Sequence, residues 1–140
     1  MAFARRVLMI AGIYGLVILT PGYFLENRIG RDLPPPITHP EYYYGFLGVT
    51  LAWQVAYLFM AQDPLRYRLL LIPGVLKKVG FPVAAIVLLA QHRIATPPFV
   101  MSMVDWVFAV LFVISFRKLY ALEEKTLAIS ATAMPRQFGP

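Results

Sequence analysis

Asp105 is the only carboxylate within any of the long apolar runs of this sequence, and it lies six residues after the start of the run 99–116. On a helix this places it roughly 9 Å below the start of the run. An ionised carboxylate among apolar side chains is costly unless it is paired or hydrated, so Asp105 is a candidate proton-binding or cation-binding group. The alternative is structural, with Asp105 hydrogen-bonded to a neighbouring helix.

A row of polar residues follows one helical face of the apolar run 42–61, at spacings of seven, four and three. Its members are Tyr43, Thr50, Gln54 and Tyr57. Lipid offers these groups no hydrogen-bond partner, so the row should face protein or a bound molecule. Contacts between helices are one interpretation, and a ligand-binding face is the other.

A second row in the same run consists of small residues at helical spacing. Its members are Gly45, Gly48, Ala52 and Ala56. Small side chains let a neighbouring backbone approach closely, which favours association of helices in lipid. We therefore predict a helix-packing face here.

Lys77 and Lys78 interrupt the run 69–90. Measured from the ends of the runs, they lie roughly 10 Å from the level of Asp105, so an ion pair needs a long reach or shifted spans. The alternative is that both ammonium groups extend to lipid headgroups, for which Arg66 and Arg68 in the preceding turn are also candidate contacts. The sequence favours headgroups for the two lysines. For Arg66 and Arg68 it favours a helix start and the orientation signal over a docking site for lipid headgroups or an acidic partner.

Known catalytic patterns are missing from the sequence. There are no cysteines, which excludes thiol chemistry and disulfides. His39 and His92 lack the helical spacing of a haem or metal site. No nucleophile–base pair, phosphate-binding glycine loop or pair of carboxylates is present. We predict no metal site and no required cofactor, and an enzyme ranks below a non-catalytic protein.

The composition is that of a membrane protein. Of 140 residues, 59% are hydrophobic and 14% are charged, whereas soluble domains have about a quarter of their residues charged. Four runs of about the length needed to cross a bilayer occupy residues 7–24, 42–61, 69–90 and 99–116. We predict an all-α transmembrane four-helix bundle over residues 1–118, followed by a cytoplasmic tail at 119–140.

The distribution of Lys and Arg orients the predicted bundle. With four spans, ten of these residues share the side of both termini and three lie on the other side. The positive-inside rule then places both termini in the cytoplasm. This bias accounts for the net charge of +6, and no basic stripe interleaved with aromatic residues suggests nucleic acid. The outer loop 25–41 should be extended and stiff because it contains Pro34, Pro35, Pro36 and Pro40.

Residues 44–54 (YGFLGVTLAWQ) and 63–68 (DPLRYR) resemble a group of small bacterial four-span membrane proteins. In size and span count the chain is also similar to DoxX-like proteins. This resemblance implies a four-span architecture in a bacterial inner membrane, and no activity. Small multidrug exporters carry a glutamate in the first span, and residues 7–24 have none.

Two functions remain open after this reasoning. The first is a non-catalytic accessory or scaffold subunit of a larger bacterial inner-membrane complex, and the sequence favours it. The second is a small oligomeric carrier or binding protein for a lipid, a quinone or a proton-coupled solute, with Asp105 in its pocket. Membrane lipids and either a hetero-oligomeric complex or a homo-oligomer are the expected partners.

Overall fold

A computed structural model of the chain describes residues 1–33 and 36–133, and within them the fold is helical and contains no strands. Five α-helices follow in order: α1 (Ala2–Leu19), α2 (Glu26–Asp32), α3 (Pro40–Gln62), α4 (Leu71–Ala90) and α5 (Thr96–Ala133). Short 3-10 turns extend α1 at Thr20–Phe24 and precede α4 at Arg68–Leu70. Pro34 and Pro35, two of the four outer-loop prolines, lie outside the described residues.

Four of the helical segments are long and apolar enough to cross a membrane. They cover Ala2–Phe24, Pro40–Gln62, Arg68–Ala90 and Thr96–Thr132. The predicted helical bundle with four candidate membrane spans is therefore confirmed, and the chain has the make-up of a multi-pass membrane protein.

The bundle has two distinct ends. One end, which we call the arginine end, holds the start of α1, the end of α3 and the turn before α4. The other, the tyrosine end, joins Tyr43 at the start of α3 to the turn after α1, since its hydroxyl donates to the Gly22 carbonyl at 2.7 Å. Tyr44 similarly donates to Glu26 at 2.8 Å and ties α2 to α3.

The outer loop differs from the predicted extended chain, because α2 lies within it. Glu26 in its first turn and Arg31 in its last turn both interact favourably with the helix dipole. The hydrogen bond from Tyr44 adds an anchor that a periodicity argument cannot detect.

Helix packing sets the position of the functional groups. α1 packs against α3 and α5, and α4 packs against α5, whereas within the described chain α3 and α4 share no comparable interface. In the half towards the arginine end a core fills the space between the helices; it includes Leu8, Met60, Leu71, Phe112 and Leu119. In the other half α3 and α4 leave a cleft.

α5 is longer than a single membrane span. Its 38 residues extend about 57 Å, and the helix continues without a break through residue 118, where the predicted tail begins. Leu119 is buried in the core, and Glu123 forms an ion pair with Arg68 at 2.5 Å. The first turns beyond residue 118 therefore pack on the bundle.

Candidate functional site

An ion pair between α4 and α5 forms the centre of the site. Lys78 Nζ lies 2.6 Å from Asp105 Oδ1. The Lys78 side chain is only 4% exposed and that of Asp105 is 22% exposed. Lys78 is ten residues into the 23-residue span Arg68–Ala90, so the pair lies near the middle of the candidate membrane span.

The structure differs here from the sequence prediction that Lys78 extends to lipid headgroups. Helix α5 begins at Thr96, three residues before the apolar run 99–116, whereas α4 ends at Ala90 as its run does. Asp105 is therefore nine residues from Thr96, and Lys78 is twelve residues from Ala90. Measured from the tyrosine end, the two backbones are therefore offset by three residues, or about 4.5 Å. A lysine side chain spans that offset, which is why the pair forms.

Aromatic rings surround the Lys78 ammonium on the side of the core. The nitrogen lies 5.1 Å from the centre of the Phe108 ring and 6.0 Å from that of Tyr57. Ring faces attract cations within about 6 Å. These contacts and the carboxylate replace part of the hydration that the ammonium loses on burial.

Helix α3 supplies the polar groups opposite the ion pair. Thr50 and Gln54 are both buried, and Gln54 Nε2 donates to the Thr50 carbonyl at 3.0 Å. Gln54 Oε1 has no hydrogen-bond partner in the described chain. A buried acceptor without a donor is unfavourable, so Gln54 keeps an unsatisfied oxygen at the edge of the cleft, packed against Gly15.

Gly15 on α1 makes room for the Gln54 side chain. A Cβ at this position would overlap the Gln54 amide. A Cβ at the neighbouring Gly12 would lie 2.9 Å from the Gln54 carbonyl oxygen and 2.7 Å from Leu58. Small residues on α1 thus permit the close approach of α3, and they hold Gln54 beside the ion pair.

A small open cleft of about 110 Å³ lies where these elements meet, which is below the size of sites that enclose a whole drug-sized ligand. Its polar floor consists of Tyr14, Thr50, Gln54, Lys77, Lys78 and Asp105. Its walls towards the tyrosine end are mainly apolar and are formed by Ile18, Leu19, Phe46, Phe81 and Met101. The Phe46 and Phe81 rings, 6.3 Å apart, bridge α3 and α4.

The charges of the cleft do not cancel. Lys77 and Lys78 contribute two positive charges and Asp105 one negative charge, and the cleft lining contains no other ionisable Lys, Arg, His, Asp or Glu side chain. Lys78 is paired with Asp105. Lys77 is half-buried, and within the described chain it has no carboxylate partner. The cleft therefore carries a net charge of about +1 when Lys77 is protonated.

Other residues of the predicted polar row lie outside the cleft. Tyr57 is fully buried in the core, and its ring centre lies 5.0 Å from that of Phe112. Its hydroxyl has no hydrogen-bond partner in the described chain. Tyr43 bonds to Gly22 at the tyrosine end. Thr50 and Gln54 share the cleft with Asp105, whereas Tyr43 and Tyr57 do not.

The small-residue row of α3 makes little contact within this chain. A Cβ at Gly45 would meet nothing within 4 Å, and one at Gly48 would meet only the Tyr23 hydroxyl. Ala52 is exposed and Ala56 is partly exposed. The packing role of this row stays a prediction that concerns another chain. Close packing inside the molecule uses α1 instead, where the signal was the spacing of Ala4, Ala11, Gly12 and Gly15.

Two of the remaining predicted headgroup cations lie at the arginine end. Arg66 is exposed, and its guanidinium lies 5.6 Å from the Tyr67 ring centre. Arg68 is half-buried, because it pairs with Glu123 and donates to the Leu65 carbonyl at 3.0 Å. Arg68 thus has an acidic partner within the chain, in the segment predicted as the tail, and the headgroup contact of Arg66 stays a prediction.

Metal-binding groups do not cluster in the described residues. Within 1–33 and 36–133, no three His, Asp or Glu side chains lie close enough to hold a metal ion. His39 faces Glu41 at 3.1 Å on the surface, and His92 lies in the turn between α4 and α5.

Comparison of the chain with models of known protein families, with curated proteins and with solved structures found no match. The resemblance of residues 44–54 and 63–68 to small bacterial four-span proteins therefore stays a prediction.

Proposed function

We propose that the chain is a small membrane protein that binds an amphipathic molecule in the cleft between α3 and α4, as a carrier or binding protein. The observation that carries this proposal is the Lys78–Asp105 ion pair on the floor of an otherwise largely apolar cleft. Charged groups at mid-span are costly and commonly serve function. A buried ion pair is also poor evidence for a purely stabilising role, since apolar replacements are often as stable.

The rim of the cleft supports an amphipathic ligand. Ile18, Phe46, Phe81 and Met101 all line the cleft and are all exposed on the isolated chain. In a membrane these side chains face lipid, so a ligand reaches the polar floor from the hydrocarbon phase. Such a ligand needs an apolar body and a polar head.

The proposed location is a bacterial inner membrane with both termini in the cytoplasm. The support is the excess of Lys and Arg on the predicted side of both termini, which is eight against three when the mid-span Lys77 and Lys78 are left out. In this orientation the cleft opens in the half of the bundle nearer the outer face.

The test is to identify what the protein carries when it is purified from its membrane. The full chain is isolated in mild detergent, and bound molecules are extracted and identified by mass spectrometry. Ile18→Trp fills the mouth of the cleft. Ile10→Trp is the matched control, because Ile10 is exposed on the same helix and does not line the cleft.

A molecule that is retained by the wild type and Ile10→Trp but lost from Ile18→Trp supports the proposal. Equal amounts of every extracted lipid in the three proteins would contradict it.

A second candidate function is the accessory or scaffold role in a larger complex. The observation in its favour is the outward position of Gly45 and Ala52 on α3, with a shallow groove formed by Ala52, Trp53, Ala56 and Leu70 beside them. Small residues facing outward suit a partner helix.

Gly45→Leu and Ala52→Leu test the accessory role. If a larger complex forms in mild detergent, these variants should dissociate it and Val110→Leu should not, since Val110 is exposed on α5, away from the row. A recorded absorbance spectrum of the same peak would reveal a pigment-bearing partner. A small colourless particle of unchanged size in all variants would contradict the accessory role.

A further inference from the structure

We propose that the ligand of the cleft is a single-chain amphiphile whose head is a carboxylic acid. This inference rests on the proposed binding function and names its substrate class. It is carried by Lys77, the cleft cation that the described chain leaves without a carboxylate partner, together with the unpaired Oε1 of Gln54.

The charge of the cleft calls for an anion. Asp105 lies 2.6 Å from Lys78 and compensates its charge, so Lys77 remains as the group to be neutralised. A lysine at mid-span is unfavourable in the absence of an anion or water. Charge-assisted hydrogen bonds to a carboxylate are short and strong. An anionic head that enters the cleft therefore stabilises Lys77 and is itself stabilised.

The depth of Lys77 favours a carboxylate over a phospholipid headgroup. Lys77 is nine residues from Arg68 and thirteen from Ala90, which is about 14 Å and about 20 Å along the helix. A phosphodiester headgroup with two acyl chains would have to leave the interface and enter the hydrocarbon region as an ion. A carboxylic acid is smaller, and in its protonated form it crosses apolar surroundings without a charge.

Gln54 gives the cleft a partner for the protonated acid as well. Its Oε1 accepts no hydrogen bond in the described chain and is enclosed beside Gly15. After a rotation of the amide towards the cleft, a carboxylic acid hydroxyl can donate to it. The ionised acid has two oxygens that accept from Lys77. The ionised head therefore suits Lys77, and the protonated head suits Gln54.

The apolar walls provide for the hydrocarbon chain. Ile18 and Leu19 of α1, Phe46 of α3, Phe81 of α4 and Met101 of α5 lie on the side of the floor towards the tyrosine end. A single alkyl chain can follow this surface and leave through the lipid-facing mouth.

The experiment compares three probes of equal chain length on the full-length protein in nanodiscs. The probes are hexadecanoic acid, hexadecan-1-ol and methyl hexadecanoate, and binding is measured by native mass spectrometry at pH 8. We expect the acid to bind about tenfold or more tightly than either neutral probe, because only the acid forms a charge-assisted pair.

Substitutions at Lys77 test whether this residue recognises the carboxylate head. Lys77→Gln should abolish the preference for the acid, and Lys77→Arg should retain it because the positive charge is kept. Lys118→Gln is the control: Lys118 is exposed on α5 and contacts the Phe3 ring, away from the cleft. Thermal unfolding of each variant shows whether the fold is intact, and the Arg variant keeps the test decisive if the Gln variant is unstable.

The outcomes separate this inference from the binding function itself. Equal binding of all three probes, lost in Ile18→Trp, would overturn the acid and leave the cleft as a binding site. A preference for the acid that survives Lys77→Gln would also overturn the inference, since Lys77 would then not recognise the head. The cleft would again remain as a binding site. Binding of no probe, together with identical lipid extracts from wild type and Ile18→Trp, would overturn both proposals.

Discussion

The two halves of the bundle fill the space between α3 and α4 in opposite ways. Towards the arginine end, Tyr57 of α3 packs on Phe112 and on the backbone at Gly74, where a Cβ would lie 3.4 Å from the Tyr57 ring. Towards the tyrosine end the same two helices flank the cleft. Because lipid removes the hydrophobic drive between helices, close packing must hold them together. The closed half can do this, and the open half is free for polar groups.

The two halves should also differ in how much a single substitution lowers the free energy of unfolding. Side chains of the closed half contact many apolar neighbours, so a single polar atom matters little there. The open half depends on a few specific pairs, and each pair contains a group that is unfavourable alone. This contrast yields four predictions, given from the largest expected effect to the smallest.

Breaking the ion pair should have the largest effect. Asp105→Ala leaves the 4%-exposed Lys78 without its carboxylate, and we expect the free energy of unfolding in detergent to fall by about 3 to 5 kcal/mol. The double variant Lys78→Met with Asp105→Leu should recover most of this loss, because apolar side chains of similar size replace both charges.

The single and double variants are compared by denaturant titration in the same detergent. If Asp105→Ala lowers the free energy of unfolding by less than about 1 kcal/mol, the buried pair stabilises the chain no more than an exposed ion pair does. The difference between the two halves would then be much smaller than the structure implies.

Glycine substitutions should separate the inner and outer faces of the helices. Gly15→Ala places a methyl group against the Gln54 side chain, and overpacking of this kind costs about 1 to 3 kcal/mol. Gly45→Ala enters open space, so the higher helix propensity of alanine should stabilise the chain by up to about 1 kcal/mol.

Thermal unfolding of both glycine variants is the measurement, with ligand retention as a second readout for Gly15→Ala. A destabilised Gly45→Ala variant would contradict the open space that surrounds Gly45 in the single chain.

The spans could be predicted from the sequence because length and hydropathy act locally. The inward face of α5 was also predictable, since Ser102 and Ala109 share a helical face with Asp105 and both are buried. The ion pair between Lys78 and Asp105 was harder to predict from the sequence. It depends on an offset of about 4.5 Å between two helices, and errors of three residues in the ends of an apolar run are enough to hide it.

The spacing of small residues does not identify the helix that packs closely inside the molecule. Both α1 and α3 contain small residues at helical spacing, and the pattern alone does not say which row meets a neighbour inside the chain. The contacts of Gly12 and Gly15 with Leu58 and Gln54 decide it. Similarly, no local pattern links Arg68 to Glu123 across 55 residues of sequence.

The Arg68–Glu123 pair should have a small effect because it is partly exposed. We expect Glu123→Gln to lower the free energy of unfolding by about 0.5 to 1 kcal/mol, and less at high salt. Glu124→Gln is the control, since Glu124 is exposed and forms no ion pair in the described chain. Equal effects of the two variants would mean that α5 beyond residue 118 does not rest on the turn before α4.

Tyr57→Phe should have the smallest effect, although Tyr57 is fully buried. Its ring makes the contacts with Trp53 and Phe112, and these remain in phenylalanine. Its hydroxyl has no partner in the described chain, so its removal loses no hydrogen bond and relieves a buried polar group. We expect a change of less than about 0.5 kcal/mol, in favour of the variant.

Ligand retention in Tyr57→Phe completes the comparison of the two halves. Tyr57 belongs to the closed half and does not line the cleft, so retention should match the wild type, whereas Lys77→Gln should reduce it. A Tyr57→Phe variant that unfolds readily or loses its ligand would place the hydroxyl in contact with a bound molecule. The polar site would then extend into the closed half, past the Lys78 ammonium, and the division between a packing half and a binding half would fail at this residue.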